Sequence, residues 1–181
     1  MEDLEVRRNL ILFIYMWCSV SFSYWLIGFQ MKYLKGNVYT NIMTSSISDI
    51  VGTGLSAVFY EKFGVKIAFL TCLVFSIMGG VAILLLNHFT GWMPLFILVS
   101  KVGVSSTFNL VFLANADLFP TLFSATAIGI CNFFARLSTT GAPLVAESPD
   151  PLPMTLYLVI NLGAIYCASH LRSRNQTIAS I

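Results

Sequence analysis

Six apolar runs, each long enough to cross a bilayer, leave this chain few ways to fold. They cover residues 9–31, 37–60, 67–86, 92–116, 121–143 and 154–171. A helix needs about 20 apolar residues to span the hydrocarbon. There, only helices or closed barrels satisfy every backbone polar group. The connections MKYLKG, EKFGVK, NHFTG, DLFPT and VAESPDPLP carry the proline, glycine and charge that stop helices. No stretch remains for a separate soluble domain. The expectation is an all-α, polytopic membrane protein, with six transmembrane helices in a single domain over residues 1–181. Only 10% of residues are charged and 57% are hydrophobic, against about 25% charged in a soluble domain.

Loop charge sets the expected orientation, because Lys and Arg concentrate on the cytoplasmic side. With the N-terminus inside, the inner segments hold Arg7, Arg8, Lys62, Lys66, Arg172 and Arg174, and the outer ones Lys32 and Lys35. Both termini are therefore expected in the cytoplasm, with Glu147 and Asp150 outside. A net charge of +2 does not suggest nucleic acid. The mixed-charge start MEDLEVRR, followed by a run of full spanning length, does not read as a signal peptide. Cys18, Cys72, Cys131 and Cys167 lie in apolar runs without a CxxC pair, so they read as buried free thiols. No metal and no cofactor are expected.

Three charges interrupt the apolar pattern: Asp49, Lys101 and Arg136. A cation at the bilayer centre costs about 2.5–3.5 kcal/mol on the insertion scale. Helical rise places the three roughly 18, 14 and 10 Å below the outer ends of their helices. Charges at such depth face a bundle interior or a wet cavity. Each sits in a polar stripe at helical spacing: Asn41, Ser45, Ser48, Asp49, Gly52 and Ser56; Lys101, Ser105, Phe108 and Asn109; Asn132, Arg136, Thr139, Thr140 and Pro143. The first run adds Trp17, Ser21, Tyr24 and Gly28. The third is almost all aliphatic around Gly79 and Gly80, and the sixth holds only Asn161 near its middle. The first, second, fourth and fifth helices are thus expected to line a cavity, with the third and sixth facing lipid. Other readings stay open. Ser, Thr and Asn also bond across membrane helices, and Lys101 can snorkel outward. Trp17 and Tyr24 suit packing, while Trp25 and Tyr33 suit an interfacial belt. The expected binding set is Arg136, Lys101, Asp49, Tyr24, Asn132 and Trp17.

An enzyme is not expected. His88 and His170 lie at helix ends on opposite sides of the membrane, and Asp49 is the only midplane acid. GVSS at 103–106 is a poor match to G-x-S-G, and no phosphate loop is present. The NQT sequon at 175–177 would face the cytoplasm.

Five stretches carry a resemblance: MWCSVSFSYWL (16–26), LKGNVYTN (34–41), EKFGVK (61–66), SKVGVSS (100–106) and ADLFPT (116–121). The last is similar to A-E-L-[FY]-P-T and is the most specific; EKFGVK looks like a degenerate D-R-x-G-R-R turn. Through them the chain resembles the C-terminal six-helix half of the major facilitator superfamily, in its organic cation/anion transporter, solute carrier family 22-like branch. The resemblance implies that the six helices are the seventh to twelfth of a carrier. There the seventh, eighth, tenth and eleventh line the cavity, in agreement with the polarity reading. It implies a gating set of Glu61, Lys62, Gly64, Lys66, Asp117 and Pro120, and it puts Ser124 where the family has an arginine. Arg136 falls where anion-carrying members tend to have arginine and cation-carrying members aspartate, which favours an organic anion. Thr53 stands where anion-type members often have a second cation. Asp49 is expected to pair with Arg136 or Lys101 until an anion competes for the cation.

The implied partners are the lipid bilayer, a small organic ion and an N-terminal six-helix half, from the same longer chain or a separate subunit. The plasma membrane is favoured over an organelle membrane. Three readings of a half follow: a piece of a full carrier, a half that assembles with another, or a non-transporting membrane partner. Intramembrane charges are costly to keep, which argues against long decay.

Overall fold

The computed structural model describes residues 2–34, 36–86, 90–119 and 121–171. Pro120 of the expected gating set lies outside these residues, as do Lys35, His88, Arg172, Arg174 and the sequon. The described elements are helices: α1 (Glu2–Gln30), α2 (Val38–Leu85), a 3-10 turn (Thr90–Trp92), α3 (Met93–Leu118), α4 (Thr121–Thr139), α5 (Ala142–Ala146) and α6 (Leu152–His170). Among them, four are long and apolar enough to cross a membrane: Arg7–Gln30 of α1, Val38–Leu85, Met93–Leu118 and Leu152–His170.

The 48 residues of α2 take in both the second and third apolar runs. The connection expected at EKFGVK shrinks to a single residue, Gly64, with φ 75° and ψ 171°. Only glycine adopts such a φ at no steric cost. A Cβ there would meet nothing within 4 Å, so the requirement is conformational and not spatial. The break divides α2 into arms 38–63 and 65–85, roughly 39 and 31 Å long. Their directions follow from what each meets on α3. Asp49, Gly52 and Thr53 meet Lys101, Ser105 and Asn109 in rising order. Gly79 and Ser76 meet Ser100 and Gly103 in falling order. The first arm runs parallel to α3, the second antiparallel, so the arms form a hairpin with α3 against both.

Glycines permit that close approach. A Cβ on Gly79 would run into the Ser100 backbone, and one on Gly103 into that of Ser76. Small residues serve this purpose in membrane bundles, where packing and not water expulsion drives association. The third and sixth runs do present apolar residues outward, among them Val74, Phe75, Met78, Val159 and Leu162. Their inner faces carry polar pins. The Tyr157 hydroxyl lies 2.6 Å from that of Ser76 and 2.8 Å from that of Ser100. Asn161 donates to the Ser23 hydroxyl at 2.9 Å.

The fifth run ends sooner than its hydropathy suggests. The hydroxyls of Thr139 and Thr140 both donate to the Arg136 carbonyl, each at 3.0 Å. Such bonds offer the backbone an alternative to continued helix. After a turn, α5 starts with Pro143 in its first turn, where its missing N–H costs nothing.

Two apolar clusters fill the bundle. One gathers Phe13, Trp17, Phe69, Leu73, Leu110 and Cys131. The other gathers Phe22, Leu26, Ile27, Met93, Ile97 and Tyr157. Between them, at the middle of the helices, lies a belt of buried Ser19, Ser21, Ser23, Ser76, Ser100, Lys101, Ser105, Ser106 and Asn161.

Candidate functional site

Lys101 leaves α3 inside this belt and is 2% exposed. Its Nζ lies 3.5 Å from the centroid of the Tyr24 ring, 3.4 Å from the Tyr24 carbonyl and 3.8 Å from Asp49 Oδ1. The Tyr24 hydroxyl donates to Asp49 Oδ2 at 3.1 Å. Lys101 therefore does not snorkel outward: a ring face, a carbonyl and a carboxylate hold it inside. Of the two partners open to Asp49, the structure forms the pair with Lys101. The carboxylate oxygen lies beyond hydrogen-bond reach of the ammonium, so the pair is Coulombic, and the carbonyl takes the direct bond. The Asp49 side chain keeps 34% of its surface exposed.

Arg136 occupies a second centre. It lines a cleft between α1, α3 and α4, together with Trp25, Phe108, Phe112, Asn132 and Thr139. The cleft is small, with a cavity volume of about 60 Å³. Arg136 is exposed and forms no ion pair among the described residues. Asn132 stands one turn before it on the same face of α4, half-buried. The arrangement offers a guanidinium fork and an amide beside aromatic walls.

Aromatic rings join the two centres. Tyr24 stacks on Phe108 with centroids 5.0 Å apart and planes at 24°. Phe108 meets Phe112 edge-on at 5.6 Å. Trp17 does not line the cleft. It is 1% exposed in the core, edge-on to Phe112 at 4.8 Å and to Phe13 at 5.5 Å. Phe112 and Trp25 line the cleft although the sequence reading passed over the first and placed the second in an interfacial belt. The available signal was spacing: Phe108 and Phe112 follow Lys101 along one face of α3.

Of the expected gating residues, Gly64 is the break in α2. Glu61 and Lys62 are exposed and form no ion pair among the described residues, and Lys66 is half-buried. Asp117, near the end of α3, interacts with Tyr60 of α2. Asn115 donates to the Ser124 carbonyl at 3.2 Å and to its hydroxyl, tying α3 to α4. Across the connections expected outside, Lys32 lies 3.9 Å from Glu147. Contact with Tyr33, and then the charge of Glu147, raises the Lys32 ammonium above the usual lysine range. The four cysteines are free, and Cys72, Cys131 and Cys167 are buried.

No family model matches the chain. Similar proteins include Organic cation/carnitine transporter 4 of Arabidopsis thaliana, 26% identical over 166 residues that make up 87% of this chain and 30% of the relative. Solute carrier family 22 member 15-like of Xenopus laevis is 24% identical, over 88% of this chain and 34% of its own length. Solute carrier family 22 member 13 of Homo sapiens is 23% identical, over 84% and 28%. The chain spans about a third of the length of these curated relatives. Apolar helices of spanning length and relatives named as transporters make it an integral membrane protein.

Proposed function

We propose that the chain carries a small organic ion across a membrane as one wall of an alternating-access carrier, with Arg136 as the solute contact. The carrying observation is an exposed guanidinium without an acidic partner among the described residues, set in an aromatic-lined cleft. The similarity to solute carrier family 22 proteins and to an organic cation/carnitine transporter, running over most of the chain, supports the reading. Six crossings, with both termini in the cytoplasm, agree with the break at Gly64 and with the loop charges. The missing wall is a second six-helix unit, in the same longer chain or a separate subunit, that rocks against this one about a midplane site. The plasma membrane is the favoured location.

Charge bookkeeping within the bundle favours an anion. Lys101 already faces Asp49, which leaves Arg136 as the uncompensated charge of the cleft. A guanidinium matches a carboxylate or sulfate with two parallel bonds. The test compares Arg136→Ala and Arg136→Asp in the assembled carrier, using uptake of a labelled aromatic carboxylate and of a tetraalkylammonium ion. Anion uptake should fall about tenfold or more, the scale of a lost charge-assisted bond, and Arg136→Asp should shift preference toward the cation. Unchanged anion uptake in both variants sinks the assignment.

A further inference from the structure

We infer that Phe108, backed by Tyr24, insulates Arg136 from Asp49 and so keeps the guanidinium free for an external anion. The inference rests on the reading of Arg136 as the solute contact. Asp49, Lys101 and Arg136 were expected at similar height, and a guanidinium with a carboxylate in reach pairs with it bidentately. Arg136 nevertheless forms no ion pair among the described residues. The described contacts that lie between them run through aromatic rings. Asp49 Oδ2 accepts the Tyr24 hydroxyl at 3.1 Å. The Tyr24 ring lies flat against Phe108, at 5.0 Å and 24°. Phe108 in turn forms the wall of the cleft that holds Arg136. From carboxylate to cleft the order is hydroxyl, ring, ring, with no polar step between the two rings.

Two devices therefore act on one acid. Lys101, held over the Tyr24 ring at 3.5 Å, offsets its charge, and the stacked rings block its approach. The insulation is needed because Asp49 is not sealed in: its side chain is 34% exposed. Removing the Phe108 ring leaves the Tyr24 ring, no longer held by stacking, as the one barrier among the described residues between the cleft and that carboxylate. Arg136 can then be claimed from within, and an external anion has to displace an internal one.

The experiment measures anion KM and the anion-to-cation uptake ratio in the assembled carrier, with each variant normalised to its surface abundance. Phe108→Ala should raise the anion KM about tenfold or more. Phe108→Leu, which keeps apolar bulk, should stay within about threefold of the parent. The decisive variant is Phe108→Ala with Asp49→Asn, compared with Asp49→Asn alone. Insulation predicts that the Phe108 effect shrinks to less than about twofold once the carboxylate is gone. Loss of packing, or loss of a direct Phe108–solute contact, predicts the same tenfold effect in both backgrounds. That result, or an unchanged KM in Phe108→Ala, overturns the inference. Arg136→Ala separates the two layers: if it leaves anion uptake intact, the solute-contact reading has failed first. If Arg136→Ala abolishes uptake while Asp49→Asn gives no rescue of Phe108→Ala, only the insulation fails.

Discussion

At the scale of the residue, Lys101 illustrates how much one buried cation needs. Its three partners, a ring face, a carbonyl and a carboxylate, come from two other helices. Removing one member of a buried pair costs about 3–5 kcal/mol when the other is fully desolvated. Asp49 is partly exposed, so Lys101→Met should cost less, about 1–3 kcal/mol. Thermal unfolding in detergent should show that loss, and adding Asp49→Asn should recover most of it. A double variant no more stable than Lys101→Met alone would mean that the pair contributes little. The three charges were legible in the sequence as misfits in apolar runs. Their pairing was legible only as a choice for Asp49 between Arg136 and Lys101. Helical spacing gives a residue its height and its face, but not which neighbour that face meets. Packing of Gly52 against Ser105 brings the first arm of α2 onto α3, and this gives Asp49 to Lys101 and not to Arg136. Trp17 shows the same limit, since a tryptophan in a polar stripe reads alike whether it lines a cleft or props up the ring that does.

At the scale of the element, two departures from the hydropathy pattern have local causes. The first is Gly64. Gly64→Ala puts a Cβ at φ 75° and ψ 171°, a region essentially reserved for glycine, at about 1–3 kcal/mol, although nothing crowds it. Gly64→Asn should fare no better, because the left-handed well that asparagine tolerates lies near ψ of about 47°. Surface abundance of both variants should fall below that of the parent, and parental abundance in either would argue against a conformational requirement. The second departure is the early end of α4 at Thr139. An apolar count cannot register two hydroxyls bonding back to the Arg136 carbonyl. The polar pins of the outer helices were half-legible: Asn161 stood out, whereas Ser76 and Tyr157 looked like ordinary members of apolar runs. Tyr157→Phe would leave the Ser76 and Ser100 hydroxyls without their shared partner. About 1–3 kcal/mol of stability should be lost, read as a lower unfolding temperature. A Gly79→Val variant meets the Ser100 backbone and should not assemble the hairpin against α3, which limited proteolysis would reveal.

At the scale of the whole molecule, the first arm of α2 and α4 are the least covered elements. The former exposes Met43, Ile47 and Ile50, and the latter Phe123, Phe133 and Leu137. Both carry polar residues of the proposed pathway, which is what one wall of a two-walled carrier would present. Expressed alone, the chain should give no uptake; joined to a complementary six-helix wall, it should. Uptake by the chain alone would require a pathway closed by copies of itself. The helical, membrane-spanning character of the chain was readable from the sequence, because membrane crossing imposes a length on each apolar run, and four described helices are long and apolar enough to cross. The division into two apolar ends and a polar middle was not, since it depends on lateral neighbours. That division has a mechanical consequence. Apolar packing tolerates sliding, whereas hydrogen bonds hold in one register only. Ser76–Tyr157–Ser100, Asn161–Ser23 and Ser106 to the Gly52 carbonyl thus act like keys in a shaft. They hold α1, α2, α3 and α6 to one rotational setting about their own axes, and a turn of one helix against another has to break them.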